Sequence, residues 1–174
     1  MGTGAVMQDS RAQMLACIPR LRRYAQALVG DRAGADDLVQ DTMERGWNQL
    51  SSWRAGSDMR AWLFSIMHNL RMDQLRRPAF KTETLDDESE FPATPASQSH
   101  GLEMRDLQTA LMMLPHEQRE VVLLVALEEM TYESIANMLG IPTGTVMSRL
   151  SRGREKLRAL MEGVPQKVTL KVVK

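Results

Sequence analysis

Residues 131–158, TYESIANMLGIPTGTVMSRLSRGREKLR, constrain this chain more tightly than any other stretch. Helical periodicity runs up to one glycine, breaks, and resumes as a basic helix. Thr131 is a good N-cap, because its hydroxyl can accept from a free backbone N–H of the first turn. Ile135, Ala136 and Leu139 then fall on one face. Gly140 stands where the first helix must stop and the chain must take up a positive φ, which glycine does without a Cβ penalty. Ile141 plugs the turn, Pro142 and Thr143 open the second helix, and Val146 and Leu150 face back to a core. The small residues Ala136 and Gly140, followed by Val146, let two helices cross closely. The spacing predicts a helix-turn-helix whose second helix presents Ser148, Arg149, Ser151 and Arg152 outward, with Arg154, Lys156 and Arg158 beyond. Such a helix suits a DNA major groove. An ordinary helical hairpin with a solvated basic face is the alternative. Turn, core spacing and charge together favour DNA binding.

A formal net charge of zero sits oddly with that reading, but the charge is unevenly distributed. Residues 141–162 carry five Lys/Arg and two acids, a local charge of +3; residues 60–77 carry four Arg and one Asp, also +3. Residues 81–103 carry one Lys and six acids, a local charge of −5. Local patches, rather than the total, set the potential near a phosphate.

Other chemistry is hard to find. Cys17 is the sole cysteine, so no internal disulfide can form and a cytoplasmic location is expected. His68, His100 and His116 lie far apart without cysteines at metal-ligand spacing, so neither metal nor cofactor is expected. There is no nucleophile–base pair and no phosphate-cradling glycine loop, which argues against an enzyme. The apolar run 121–127 is seven residues long, against about 20 needed to cross a bilayer. The N-terminus lacks a signal pattern. No membrane insertion is expected.

The pattern predicts an all-α protein: two small helical domains on a flexible linker, the second a helix-turn-helix, winged-helix-like but without a sheet. The first domain spans residues 11–78. Leu15, Ile18, Leu21, Ala25 and Leu28 form one stripe, with Pro19 starting or kinking a helix. Gly30 and Asp31 break it. A helix over about 33–50 places Leu38, Val39, Thr42, Met43, Gly46, Trp47 and Leu50 on one face, and Asp37, Gln40, Asp41 and Glu44 on its polar side. After a loop over 51–57, a third helix over about 58–77 buries Trp62, Leu63, Ile66, Met67 and Leu70, and Pro78 stops it. Residues 79–101 are acidic, contain Pro92, Pro95 and several serines, and lack apolar periodicity, so a flexible linker is expected. The second domain spans 102–162: Leu107, Leu111 and Leu114 in its first helix, then Pro115 opening a helix with Val121, Leu124 and Val125 as core. Residues 163–174 are expected to be a disordered tail.

The segments ADDLVQDTMERGW and DMRAWLFSIMHNLRMDQLRR resemble the second conserved region of bacterial extracytoplasmic-function sigma factors. The segment LPHEQREVVLLVALEEMTYESIANMLGIPTGTVMSRLSRGREKLR resembles their fourth. The resemblance covers residues 19–160 in the family's order and linker length. It implies a dissociable subunit of RNA polymerase that directs the core enzyme to promoters and helps open the DNA, typically in a stress response.

It also implies roles. The helix bearing Asp37, Gln40, Asp41 and Glu44 would dock on a coiled coil of the largest subunit of core RNA polymerase, although acids near a helix N-terminus are also favoured by the macrodipole. The third helix would take the melted −10 element, with Asn69 holding a flipped base by its amide and Trp53 and Arg54 supplying a stacking face and a cation. Arg71, Arg76 and Arg77 would contact phosphates, which position rather than specify. A surface Asn, a packed Trp and solvated arginines are the alternatives. The recognition helix would read the −35 element through Ser148, Arg149, Ser151 and Arg152, the arginines at guanine edges. Met147 departs from the family, where Arg or Lys is common. Sites about 20 bp apart are separated by roughly 68 Å, and about 22 residues of linker, fully extended, reach about 70 Å. The acids Asp86, Asp87, Glu88 and Glu90 would mimic nucleic acid in the polymerase cleft, or simply solvate a spacer. An anti-sigma factor, often membrane-bound, is a further implied partner. The competing reading, a dimeric helix-turn-helix regulator, leaves the ADDLVQDT helix and the Asn69 helix unexplained.

Overall fold

The computed structural model describes residues 3–77 and 98–163, with side chains from 9 and from 103 onward in the two segments. Most of the expected linker, its acids Asp86, Asp87, Glu88 and Glu90, Pro78, and residues 164–174 of the expected tail lie outside the described residues. Among the described residues, eight α-helices follow in order: α1 Thr3–Ala16, α2 Ile18–Val29, α3 Arg32–Asn48, α4 Met59–Arg76, α5 Gln98–Met112, α6 His116–Ala126, α7 Tyr132–Leu139 and α8 Thr143–Met161. A 3-10 turn, Leu50–Ser52, leaves α3. Two boundaries differ from expectation. The N-terminal helix begins at Thr3 rather than near residue 11, and α5 begins at Gln98, inside the expected linker.

Of the two roles open to Pro19, starting a helix or kinking one, it starts one: the stripe is divided between α1 and α2. Cys17 and Pro19 break it, and the break rotates Leu15 outward, 54% exposed, while Met14 is fully buried. In α2, Leu21, Tyr24, Ala25 and Leu28 make the inner face, and Tyr24 meets Phe64 of α4 edge-on at 4.9 Å between ring centroids. Gly30 ends α2 at φ +92. Asp31 then caps α3 by accepting from Gly34 N at 2.6 Å, and Asp58 caps α4 by accepting from Arg60 N and Ala61 N. Gly46 lets α3 lie close to its neighbours: a Cβ there would stand 2.9 Å from Leu63 and 3.0 Å from Met14. The outward end of the α3 stripe is Trp47, 47% exposed, with the Arg11 guanidinium 4.9 Å from its ring centroid.

The second unit is built around α6, whose second half, residues 121–126, is apolar on every side. Val121, Val122, Leu123 and Leu124 are all buried. One side of α6 packs on α7 and α8, the other on α2. An interior strip on both sides is what a helix wedged between two bodies requires. The units therefore share one apolar core.

Charged residues buried in this seam hold it. Arg119, 6% exposed, donates from Nε to Leu111 O, from Nη1 to Leu28 O, and from Nη2 to Met112 O and Leu114 O, at 2.8–2.9 Å. It thereby closes the C-terminal carbonyls of α2 and α5, where a cation is favoured by both helix dipoles. Glu128 is fully buried between α6 and α7. Arg23 lies 3.3 Å from its Oε1 and Arg20 3.6 Å from its Oε2, while Arg60 donates to its backbone carbonyl at 3.0 Å. Glu120, also buried, meets His68 Nδ1 of α4 at 2.7 Å and lies 3.8 Å from His116 Nε2.

Arg119→Met should destabilise the chain by roughly 3–5 kcal/mol, because several buried carbonyls lose their donors together; urea denaturation measures this. Arg119→Lys should rescue little, since one ammonium cannot reach four carbonyls. Burial holds the His116 imidazole below its ordinary value of 6.5, Glu120 opposing and Arg71 and Arg119 assisting. The unfolded chain therefore takes up this proton first. The stability due to a neutral His116 is complete above pH 6.5 and is lost as pH falls below it. Between about pH 6.5 and 5 the wild type should lose urea stability faster than His116→Gln.

Candidate nucleic-acid interface

The helix-turn-helix forms as its spacing predicts. Thr131 caps α7 by accepting from Ser134 N at 3.2 Å. Gly140 takes φ +65, and Ile141 N donates to Ala136 O at 3.0 Å, the 6→1 bond that closes a helix ending in a left-handed residue. Pro142 precedes the first turn of α8, whose inner edge is Val146, Leu150 and Gly153. Gly153 permits close crossing with α6, because a Cβ there would stand 2.8 Å from Val122 Cγ2 and 3.3 Å from Gln118 O.

On α8, Ser148, Ser151 and Arg152 are exposed, as are Arg154 and Arg158. The Ser148 hydroxyl donates to Thr145 O at 3.1 Å. Arg149 is half-buried, on the same flank as the half-buried Thr145 and Lys156. The exposed arc thus shifts away from Arg149 and towards Met147, Arg154 and Arg158. Among the described residues, no acid forms an ion pair with Arg149, Arg152, Arg154 or Arg158. Arg154 and Arg158, which the sequence places beyond the four candidate residues, lie on the same exposed arc once the wheel is anchored on Val146, Leu150 and Gly153.

In the first unit, Asp37, Gln40, Asp41 and Glu44 are all exposed on α3. Asp41 and Glu44 border a shallow groove shared with Arg45, Asn48, Gln49 and Leu70. Arg54 is exposed in the loop before α4, where Gly56 takes φ +89 and Ser57 Oγ donates to Arg54 O. Trp53 is half-buried, and its sequestered Nε1 finds no hydrogen-bond partner among the described residues. Asn69 is exposed on α4. Arg76 is exposed and lies 3.8 Å from Asp73, and Arg77 is exposed at the helix end. Arg71 stands apart from these. It is half-buried, and its charge acts on His116 and Arg119 of α6, so it faces the second unit in this arrangement. The face of α4 carrying Arg60, His68 and Arg71 is covered; the face carrying Asn69 is free.

Gly140→Ala should destabilise the chain by about 1–2 kcal/mol, as a left-handed position is penalised by a Cβ. Nothing lies within 4 Å of where that Cβ would stand. The loss is therefore conformational, and a smaller loss in Gly140→Asn measured by thermal unfolding would bear this out.

No helix among the described residues is long and apolar enough to cross a membrane. The Sigma2 domain of PhyR matches residues 14–68, and Sigma-70, region 4 matches residues 104–157. The ECF RNA polymerase sigma factor EcfG of Rhodopseudomonas palustris is 37% identical over 153 residues, covering 87% of this chain and 84% of the relative. Among solved structures, the sigma factor RpoE of Bartonella quintana, determined in complex with the anti-sigma factor NepR, is 34% identical with a TM-score of 0.76, covering 89% of this chain and 98% of that one. CnrH, determined with the cytosolic domain of CnrY, is 25% identical with a TM-score of 0.67, covering 92% and 97%. Both helical units, their order and the recognition helix are thus those of one family, and this chain is an RNA polymerase sigma factor of the extracytoplasmic-function type.

Proposed function

We propose that this sigma factor acts in the cytoplasm and binds core RNA polymerase through α3, with Asp37, Gln40, Asp41 and Glu44 against basic residues of a coiled coil in the largest subunit. Their exposure at helical spacing supports a docking stripe. α4 and the loop before it take the melted −10 strand: Asn69 holds a flipped base, Trp53 and Arg54 flank it, and Arg76 and Arg77 meet phosphates. α8 reads the −35 duplex with Ser148, Ser151 and Arg152, and with Arg149 at the edge of the contact. The observation that carries this reading is the pairing, in one chain, of an exposed acid-and-amide stripe on α3 with an unpaired basic arc on α8. A dimeric operator-binding regulator has no use for the first. An anti-sigma factor is a further partner, by analogy with the Bartonella sigma factor solved with one.

In the packed arrangement α4 lies on α7 and α7 on α8. At about 8–10 Å per helix pair, the two reading helices are within roughly 30 Å. Promoter elements about 20 bp apart lie roughly 68 Å apart. Holding both at once therefore requires the units to separate, which breaks the contacts of Glu128 and Glu120 and uncovers Arg71 for a phosphate.

Mixed with core polymerase, the chain should co-elute on a sizing column and direct promoter-specific transcription. A chain that elutes separately would be a regulator instead. Asn69→Ala should still co-elute but open promoters poorly; loss of co-elution would place Asn69 in the polymerase contact.

A further inference from the structure

We infer that Met147 is a specificity-determining residue of this sigma factor and reads the C5-methyl group of a thymine in the −35 duplex. The inference rests on the placement of α8 in the major groove proposed above and assigns one base contact within it.

Successive residues of α8 are rotated by about 100°. With Val146, Leu150 and Gly153 turned inward, Met147 and Arg149 leave the helix on opposite flanks. The Arg149 flank is partly covered, since Thr145, Arg149 and Lys156 are all half-buried. The Met147 flank is open, since Met147, Ser151, Arg154 and Arg158 are all exposed. The open arc is therefore centred near Ser151 and includes Met147.

The neighbours of Met147 in the first turns of that arc are short. Gly144 has no side chain, and nothing lies within 4 Å of where its Cβ would stand. Ser148 turns its hydroxyl back onto its own helix, to Thr145 O at 3.1 Å. Ser151 is small. Met147, 51% exposed, is thus the longest side chain projecting from the beginning of the arc, and the basic residues Arg154 and Arg158 flank it towards the C-terminal end. A helix that approaches DNA with Gly144 and serines foremost brings Met147 to the base edges before any arginine on its flank.

The chemistry of that side chain selects its target. A thioether donates no hydrogen bond, so it cannot use the acceptors of guanine, which an arginine or lysine would. The C5-methyl of thymine is the apolar group that the major groove displays. An unbranched, polarizable side chain adapts to such a small target.

The test uses holoenzyme reconstituted from core polymerase and the full chain. Duplexes are recovered by that holoenzyme from a library randomised across the −35 element, and their thymines are then replaced one at a time by deoxyuridine, which lacks only the methyl group. One replacement should weaken wild-type binding about fourfold, the worth of one methyl removed from contact. In Met147→Ala the same replacement should have no effect, and the all-thymine duplex should bind about fourfold more weakly than to wild type. A library selection with Met147→Arg should move the base preference at that same position. A wild-type holoenzyme that selects its −35 sequence yet ignores every methyl overturns this assignment alone, as does a methyl effect of undiminished size in Met147→Ala. A holoenzyme indifferent to −35 sequence overturns the placement of α8 as well.

Discussion

Arg119 takes the carbonyls at the ends of α2 and α5 onto one guanidinium, and the placement of the second unit follows from that clasp. A buried cation is tolerable only where acceptors replace its hydration. Two helix C-termini supply them, so α2 and α5 must end side by side, above the first turn of α6. With α6 fixed there, its apolar residues fill the space between α2 on one side and α7 and α8 on the other. Glu128 completes the seam at the opposite end of α6, drawing on arginines of α2 while its carbonyl receives one from α4. The polar groups at the two ends fix the register that the apolar middle alone leaves free.

Much of each unit was legible in the sequence because the cues were local. Thr131, Gly140 and Pro142 punctuate the helix-turn-helix through caps and a left-handed turn, and those are properties of neighbouring residues. The bounds of α3 and α4 came within a residue or two for the same reason, with Asp31 and Asp58 as caps. What escaped was non-local. Arg119, Glu120 and Glu128 look like ordinary surface charges when read along the chain, and only the arrival of α2 and α4 buries them. Val122 and Leu123 lie outside the expected core stripe of Val121, Leu124 and Val125, and are buried because α6 has two sides to cover. Leu15 was misplaced because the break at Cys17 changes the phase of the stripe. Of the candidate site residues, the side chains on α3 and the serines with Arg152 on α8 emerged exposed, as amphipathic periodicity requires. Arg71 and Arg149 did not, because the covering elements lie elsewhere in the chain.

The zero net charge follows a similar logic. The basic residues divide between those engaged within the fold and those left open to solvent. Arg20, Arg23, Arg60 and Arg119 serve the seam. Arg152, Arg154 and Arg158 remain in the open arc of α8 without intramolecular partners among the described residues. Composition cannot distinguish the two groups, whereas their partners do: even the exposed Arg20 and Arg23 face the buried Glu128.

The sharing of α6 between two packing environments has a consequence for competition. Two units joined by one chain meet at an effective concentration on the order of millimolar. Any partner that needs the α2 or α4 face of the seam must therefore outbid a ligand that is always present and never diffuses away. Affinities measured on an isolated N-terminal unit would overstate those of the whole chain by the factor that this tethered rival imposes. The intact molecule is thus selective for partners that engage both units at once.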